Sequence, residues 1–252
     1  NYLVVDENLS DIAGLQAQRI ARQWECDVHI FVERRNAAAS VRQFQATGRI
    51  HYHFDELTKF LPRGLPEDIK WPKIVYLRIF APHILKAYQR LLYIDADILS
   101  MRSDKSIWEL PLPSGLAAAS DTATISRAPA DLKNVSRRDW LDDIGVKSER
   151  YLNSGVLLID PDKWLPIAFP QKLTSYFLAH PNATRFDQDF LSWVFDGSWT
   201  ELGPRFNHQT EDLKYGLTEA LEPVFIHFCG SYKPWRCEPE EWRAAISPIY
   251  HE

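Results

Sequence analysis

Two aspartates that follow an apolar run are the first residues whose type and spacing indicate chemistry. The stretch "RLLYIDADILS" covers residues 90–100 and places Asp95 and Asp97 directly after four apolar residues. Residues i and i+2 of an extended strand face the same way, so both carboxylates can meet one ligand. Ligands of open α/β sheets bind beyond the carboxyl ends of the strands, where paired carboxylates commonly hold a divalent cation. The pattern favours a metal site, and capping of a helix by either aspartate is the alternative.

A second segment with suitable chemistry lies far downstream, in "FIHFCGSYKPW" at residues 225–235. His227 ends an apolar run there, and Gly230 and Lys233 follow it. Glycine lets the backbone approach a ligand closely, and lysine supplies a point charge suited to phosphate. A lone histidine is more often a satisfied core residue, but its place beside this glycine and lysine favours a ligand role.

Short apolar runs that alternate with helical patterns must position these residues. Strands are predicted at residues 2–5, 27–33, 49–54, 90–95, 115–120, 155–160 and 223–228. Helices are predicted at residues 11–24 after Ser10 as N-cap, 72–85 with an interruption at Pro82, 162–180 and 187–195. This alternation predicts an α/β fold with a largely parallel sheet covered by helices, in one domain over residues 1–252. Residues 121–152 are polar and weakly periodic, and are either a lid or an irregular surface excursion.

The composition limits the classes of function. The chain has 252 residues, 25% of them charged, and a net charge of -5 with acids and bases interspersed. This argues against a nucleic-acid partner, which requires a basic face. The three cysteines lack metal-type spacing and indicate a reducing compartment. Apolar runs stay well below the ~20 residues of a transmembrane helix, and the absence of an initiator methionine leads us to expect that a segment has been trimmed.

Four motifs in this order resemble glycosyltransferase family 8. They are "LLYIDAD" at 91–97, "YLNSGVLLID" at 151–160, "FDQDFL" at 186–191, and His227-x-x-Gly230-x-x-Lys233-Pro-Trp. The resemblance implies a retaining, metal-dependent hexosyltransferase with the Rossmann-like GT-A fold. It also implies UDP-glucose or UDP-galactose as donor and a glycan acceptor, with lipopolysaccharide or another surface polysaccharide as the expected class. The expected location is the bacterial cytoplasm, with peripheral association at the inner membrane left open.

The resemblance also assigns roles to residues by their position in these motifs. It implies that Asp95, Asp97 and His227 bind the metal, and this mixed oxygen and nitrogen set suits Mn²⁺ at least as well as Mg²⁺. The implied donor site comprises Val4, Asp6, Asn8, Arg78, Asp95, Ala96, Asp121, Asn153, Ser154, Asp187, Gln188, Gly230 and Lys233. Within this set Val4, Asp6 and Asn8 match the part that holds uracil and ribose, and Gly230 and Lys233 match the contacts to the diphosphate.

Three of these residues are expected to act in catalysis. A metal and Lys233 would stabilise the negative charge that develops on the leaving diphosphate. Gln188 and Asp187 would stabilise the sugar cation in a same-face mechanism, whereas a double displacement would require a carboxylate nucleophile. The rival interpretations are a nucleotide-sugar-binding module without activity and a phosphatase that uses the first aspartate as nucleophile. We expect His51 and His53 to be exposed strand residues.

Overall fold

The computed structural model describes residues 1–68, 72–213, 216–230 and 233 of the chain. Pro234 and Trp235, which complete the last motif, lie outside the described residues. Within the described part, every helix is too short or too polar to cross a bilayer.

Ten strands in the described residues form two sheets. They are β1 (Tyr2–Val5), β2 (Val28–Val32), β3 (Ile50–Phe54), β4 (Leu91–Ile94), β5 (Ile98–Ser100), β6 (Leu116–Ser120), β7 (Leu152–Ile159), β8 (Thr200–Glu201), β9 (His208–Gln209) and β10 (Phe225–His227). The larger sheet has the order β3-β2-β1-β4-β7-β6-β8, and the smaller one has the order β5-β10-β9. In the larger sheet β7 runs antiparallel to both of its neighbours, β4 and β6, while the other pairs are parallel.

Helices and 3-10 turns connect the strands. The α-helices are α1 (Ser10–Trp24), α2 (Ala81–Ile84), α3 (Arg137–Asp143), α4 (Pro161–Trp164), α5 (Phe169–Ala179), α6 (Phe186–Phe195), α7 (Thr210–Leu213) and α8 (Thr218–Leu221). The 3-10 helices are Glu7–Leu9, Thr58–Phe60, Lys73–Ile79, Lys105–Glu109, Thr122–Thr124 and Pro204–Phe206.

The seven predicted strands are confirmed, and most of the helices are present with changed boundaries. The N-cap role predicted for Ser10 is wrong, because Ser10 is the first helical residue and its hydroxyl donates to Glu7 O at 2.7 Å. The cap lies one turn earlier, where Asp6 accepts from the backbone N–H of Asn8 and Leu9. Residues 162–180 form two helices rather than one, and Pro170 stands in the first turn of α5, where a missing N–H is tolerated.

The core lies on both faces of the central strands. Leu91 and Tyr93 of β4 face one apolar cluster, and Leu92 and Ile94 face the other. Because alternate strand residues point to opposite faces, burial on both sides gives an unbroken apolar run. The apolar run ends at Asp95, directly after the carboxyl end of β4.

Residues 121–151 leave the sheet after β6 and return at the start of β7. The two ends of this excursion are tied together, because the Asp121 N–H donates to Tyr151 O at 3.0 Å. Between them the chain contains one 3-10 turn and α3, which begins at the Ser136 N-cap.

Candidate metal centre and donor site

Asp95, Asp97 and His227 form a cluster at the carboxyl end of β4. A tight turn, closed by the Ile98 N–H donating to Asp95 O at 3.2 Å, leads from β4 into β5. His227 pairs with Ile98 in the smaller sheet, which brings the imidazole over this turn. One ligand atom from each of the three residues lies within 4.8 Å of the others. The structure thus joins segments that are 130 residues apart in the chain.

The donor set fits a divalent cation. His227 Nε2 lies 3.4 Å from Asp97 Oδ1 and 3.9 Å from Asp95 Oδ2, while His227 Nδ1 lies 3.0 Å from the side-chain oxygen of Asn207. A hydrogen bond at Nδ1 leaves Nε2 directed at the two carboxylates, as metal-binding histidines require. Two carboxylates with one imidazole is a set that suits Mn²⁺ or Mg²⁺. Among the described residues no other group of His, Cys, Asp or Glu has this geometry.

Arg78 and Tyr93 hold Asp95 in place. Arg78 Nη1 lies 3.1 Å from Asp95 Oδ1 and donates to Ser154 O at 3.0 Å. The Tyr93 hydroxyl donates to the same carboxylate, and the guanidinium lies over the Tyr93 ring at 4.6 Å. Arg78 is only 8% exposed, so its charge acts in a poorly hydrated environment where it is weakly screened.

Lys233 adds a second positive charge beside Asp97. Its Nζ donates to Asp97 Oδ2 at 2.5 Å and to Phe228 O at 2.6 Å. Burial alone would raise the pKa of Asp97, but the charges of His227 and Lys233 outweigh it and hold the pKa below its usual value. Asp97 is therefore a carboxylate at neutral pH, which is the form that binds a cation.

A chain of side-chain amides lies next to the cluster, on β7 and α6. Asp121 Oδ2 accepts from Asn153 Nδ2 at 3.1 Å and from Gln188 Nε2 at 3.2 Å. Its other oxygen accepts from the Thr124 N–H and hydroxyl. Gln188 Oε1 in turn accepts from the Ser154 N–H at 3.1 Å. Hydrogen bonds at both Oε1 and Nε2 therefore fix the orientation of the Gln188 amide.

Asp187 is buried against Arg78. Its Oδ2 lies 3.3 Å from Arg78 Nε, and the residue is 5% exposed. Burial raises the pKa of Asp187 to about 6, although Arg78 opposes the shift. Asp187 stands in the first turn of α6, where the helix dipole favours a negative charge.

The residues expected to hold uracil and ribose lie at the end of β1. Val4 is half-buried, Asn8 is exposed, and Asp6 Oδ2 lies 3.7 Å from Arg35 Nη2. Since β1 and β4 are parallel neighbours, the loop after β1 shares its sheet edge with Asp95.

Ala96 and Gly230 complete the residues assigned from the sequence. The structure places the nearly buried Ala96 between the two metal-site aspartates. Gly230 has a φ of +88°, a conformation that favours glycine. A Cβ there would meet nothing within 4 Å, so the glycine meets a requirement of the backbone rather than of packing.

Sequence reasoning missed Tyr93, Asn207 and a histidine pair. Asn207 precedes β9 in "RFNHQT", where no periodicity or motif distinguishes it. His53 is half-buried rather than exposed, because its Nε2 lies 3.0 Å from His29 Nδ1, whereas His51 is exposed as expected. Burial, together with the positive charges around it, lowers the pKa of His29 to about 3.

Comparisons with known proteins identify the family of this chain. The family model described as glycosyl transferase family 8 matches residues 6–238. General stress protein A of Bacillus subtilis is 30% identical over 182 residues, which are 65% of this chain and 59% of that protein. Lipopolysaccharide 1,2-glucosyltransferase of Escherichia coli is 28% identical over 203 residues, 75% of this chain and 55% of that protein. This chain thus spans between half and three fifths of the length of these two relatives.

A solved structure supports the same class of fold. The galactosyltransferase LgtC, in complex with donor and acceptor sugar analogues, aligns with a TM-score of 0.72 at 20% identity, covering 97% of this chain and 100% of that chain. The fold is therefore that of the GT-A glycosyltransferases, as the motifs predicted. Since the family model covers most of the sequence, the chain belongs to glycosyltransferase family 8.

Proposed function

We propose that the protein is a retaining hexosyltransferase that moves glucose or galactose from a UDP-sugar to a glycan acceptor and depends on Mn²⁺. The observation that carries the proposal is the cluster of Asp95, Asp97 and His227, flanked by the cations Arg78 and Lys233. A divalent metal and two cations at one sheet edge suit a ligand with several negative charges, such as a nucleoside diphosphate.

The metal would be held by Asp95, Asp97 and His227. Mn²⁺ is preferred to Mg²⁺ because the set includes an imidazole, which is a borderline rather than a hard ligand. When bound, the ion supplies positive charge to the diphosphate oxygens at the bond that breaks.

Lys233 serves the leaving group. Its Nζ lies 2.5 Å from a metal ligand, so a diphosphate bound at the cluster comes within reach of the ammonium group. Negative charge grows on the leaving phosphate as the C1–O bond breaks, and a fixed cation at that point lowers the barrier. Gly230, whose backbone conformation favours glycine, would let the chain pass close to the same phosphates.

Asp187 and Gln188 serve the sugar. Gln188 accepts a hydrogen bond at Oε1 and donates one at Nε2, so its oxygen is a poor nucleophile. Asp187 is buried in an ion pair with Arg78, which also restrains it. We therefore favour same-face transfer: the C1–O bond to the phosphate breaks, the acceptor oxygen bonds to C1 on the same face, and the acceptor proton passes to the leaving phosphate.

The positions of the residues support the remaining donor contacts that we propose. Val4 lies in β1, and Asp6 and Asn8 follow it. These three residues would hold the uridine, while Asp121, Asn153 and Ser154 would line the sugar. Asp121 already accepts four hydrogen bonds, so a sugar hydroxyl at this point would exchange with one of them.

Two relatives support the proposed acceptor class. A lipopolysaccharide glucosyltransferase of Escherichia coli and a lipopolysaccharide galactosyltransferase of Salmonella typhimurium are both similar to this chain. We infer a lipopolysaccharide or another surface polysaccharide as acceptor, which implies work on the cytoplasmic side of the inner membrane.

The test is release of UDP and free sugar from UDP-glucose and UDP-galactose without acceptor, in the presence of Mn²⁺, Mg²⁺ or EDTA. We expect slow Mn²⁺-dependent hydrolysis of one donor, its loss in Asp97→Ala, and unchanged activity in the surface control Asp162→Ala. Tight UDP binding with no turnover of either donor would instead indicate a binding module. No metal-dependent UDP binding would refute the assignment of the donor site.

A further inference from the structure

Asn207 occupies a position between the metal cluster and the amide chain. It lies between the 3-10 helix Pro204–Phe206 and β9, and it is fully buried. Its Oδ1 lies 3.0 Å from His227 Nδ1, and its Nδ2 donates to Asn153 Oδ1 at 2.9 Å. Both polar ends of this side chain are therefore engaged by residues of the site.

The orientation of each amide in this chain is determined by its neighbours. Asn153 Oδ1 accepts from the Gly155 N–H at 3.0 Å, and Asn153 Nδ2 must face the carboxylate of Asp121, which can only accept. Because Asn153 presents oxygen to Asn207, Asn207 must present its NH₂ group in return. Its own oxygen then faces His227, so His227 must carry a proton on Nδ1.

We propose that Asn207 is a positioning residue that keeps the proton of His227 on Nδ1 and so directs Nε2 at the metal. The inference rests on the proposed metal-dependent function. A line of hydrogen bonds runs from Asp121 through Asn153 and Asn207 to His227, and it joins the sugar side of the site to the metal side. Hydrogen-bond partners of metal ligands typically change metal affinity by about 10–100-fold when they are removed.

The experiment compares two substitutions that differ in what they retain. Asn207→Leu is close in size and removes both hydrogen bonds. Asn207→Asp keeps an acceptor for His227 Nδ1 and removes the donor to Asn153. Ser192→Ala is the control, because Ser192 is fully buried and accepts from the Leu152 N–H without contacting the cluster.

The first measurement is the Kd of Mn²⁺, obtained from the EPR signal of the free ion in the presence of UDP. The second is the ¹⁴N modulation of bound Mn²⁺ in electron spin echo spectra, which reports an imidazole ligand. We expect Asn207→Leu to raise the Kd about 10–100-fold and to weaken the ¹⁴N modulation. We expect Asn207→Asp to bind Mn²⁺ like the wild type but to have a higher KM for the donor. Ser192→Ala should leave both metal readouts unchanged.

Four results would overturn the inference. They are a wild-type Kd in Asn207→Leu, an equal loss of affinity in Asn207→Asp, an equal loss in Ser192→Ala, and wild-type ¹⁴N modulation in Asn207→Leu. If Asn207→Leu does not fold, Asn207→Ala removes the same hydrogen bonds and must show the same rise in Kd. Absence of Mn²⁺ binding by the wild type would overturn the proposed metal site as well, whereas equal binding by wild type and Asn207→Leu would overturn this inference alone.

Discussion

Substitution of one glycine should disable the proposed metal site without replacing any of its three proposed ligands. Gly155 lies in β7, and a Cβ added there would fall 2.3 Å from His227 Cε1 and 2.7 Å from His227 Nδ1. Gly155 does not have a positive φ, so alanine meets no backbone strain at this position. The effect of Gly155→Ala therefore comes mainly from the contact with His227, and the added Cβ would also lie 3.1 Å from Asn153 Oδ1.

The size of the effect follows from the distances. Ordinary van der Waals contact with a Cβ begins at 3.4 Å, whereas His227 Cε1 would lie at 2.3 Å. The imidazole must therefore move away by the difference, 1.1 Å. Metal–nitrogen distances tolerate only about 0.2 Å, so His227 ceases to be a ligand. We expect a loss of at least about 10–100-fold in Mn²⁺ affinity. Overpacking lowers the free energy of unfolding by roughly 1–3 kcal/mol. Alanine also restricts the unfolded chain, which offsets about 0.4–1 kcal/mol of this loss.

The assay pairs the EPR titration of Mn²⁺ with UDP release and urea unfolding. Gly203→Ala is the matched control, since a Cβ at Gly203 meets nothing within 4 Å and its φ is not positive. The control should keep wild-type affinity and turnover. Wild-type Mn²⁺ affinity in Gly155→Ala would refute the reasoning, because it would show that His227 either moves freely or does not bind the metal.

Three further outcomes follow from single contacts. Tyr93→Phe removes the hydroxyl that donates to Asp95, and should raise the Mn²⁺ Kd about tenfold or more in the same titration while the fold is retained. Tyr151→Phe removes a 2.6 Å hydrogen bond to the fully buried Asp189, and urea unfolding should show a loss of about 1.5–3 kcal/mol, whereas an unchanged midpoint would contradict it. The pKa of His29 is about 3 in the folded protein, whereas that of an unfolded histidine is about 6.5. As the pH falls from about 6.5 towards 3, the unfolded state therefore binds a proton that the folded state does not, and the stability of the protein decreases. Urea midpoints measured across this range should depend less on pH in His29→Gln, and an equal dependence would exclude His29 as the cause.

The parts of the site that local sequence determines were predictable. Asp95 and Asp97 stand out because unpaired carboxylates at the end of a buried strand cost stability and therefore indicate a ligand. The position of β4 followed from the same run, which indicates burial on both faces, although the prediction of residues 90–95 extends one residue beyond the strand at each end. His227 and Lys233 were found because they share one short segment with Gly230.

The parts that depend on tertiary contacts were not predictable from the sequence. The apolar run of β7 indicates burial but carries no information on strand direction, so its antiparallel course was not foreseen. That course places Asn153 and Gly155, near the start of β7, beside Asp95, at the end of β4. Asn207 gains its importance only from partners that are 20 and 54 positions away in the chain.

The closed base of the 121–151 excursion has a consequence for how such a site can diversify. Asp121 and Tyr151 are hydrogen-bonded to each other, so the ends of the excursion stay fixed whatever lies between them. Doubling the length of a loop with fixed ends costs only about 0.6 kcal/mol in closure entropy. Descendants of this chain can therefore lengthen, shorten or replace the segment between Asp121 and Tyr151 while β6, β7 and the side chains they carry stay where they are. On the proposed function, insertion and deletion in this segment would change the contacts offered to an acceptor without a change in the residues of β6 and β7.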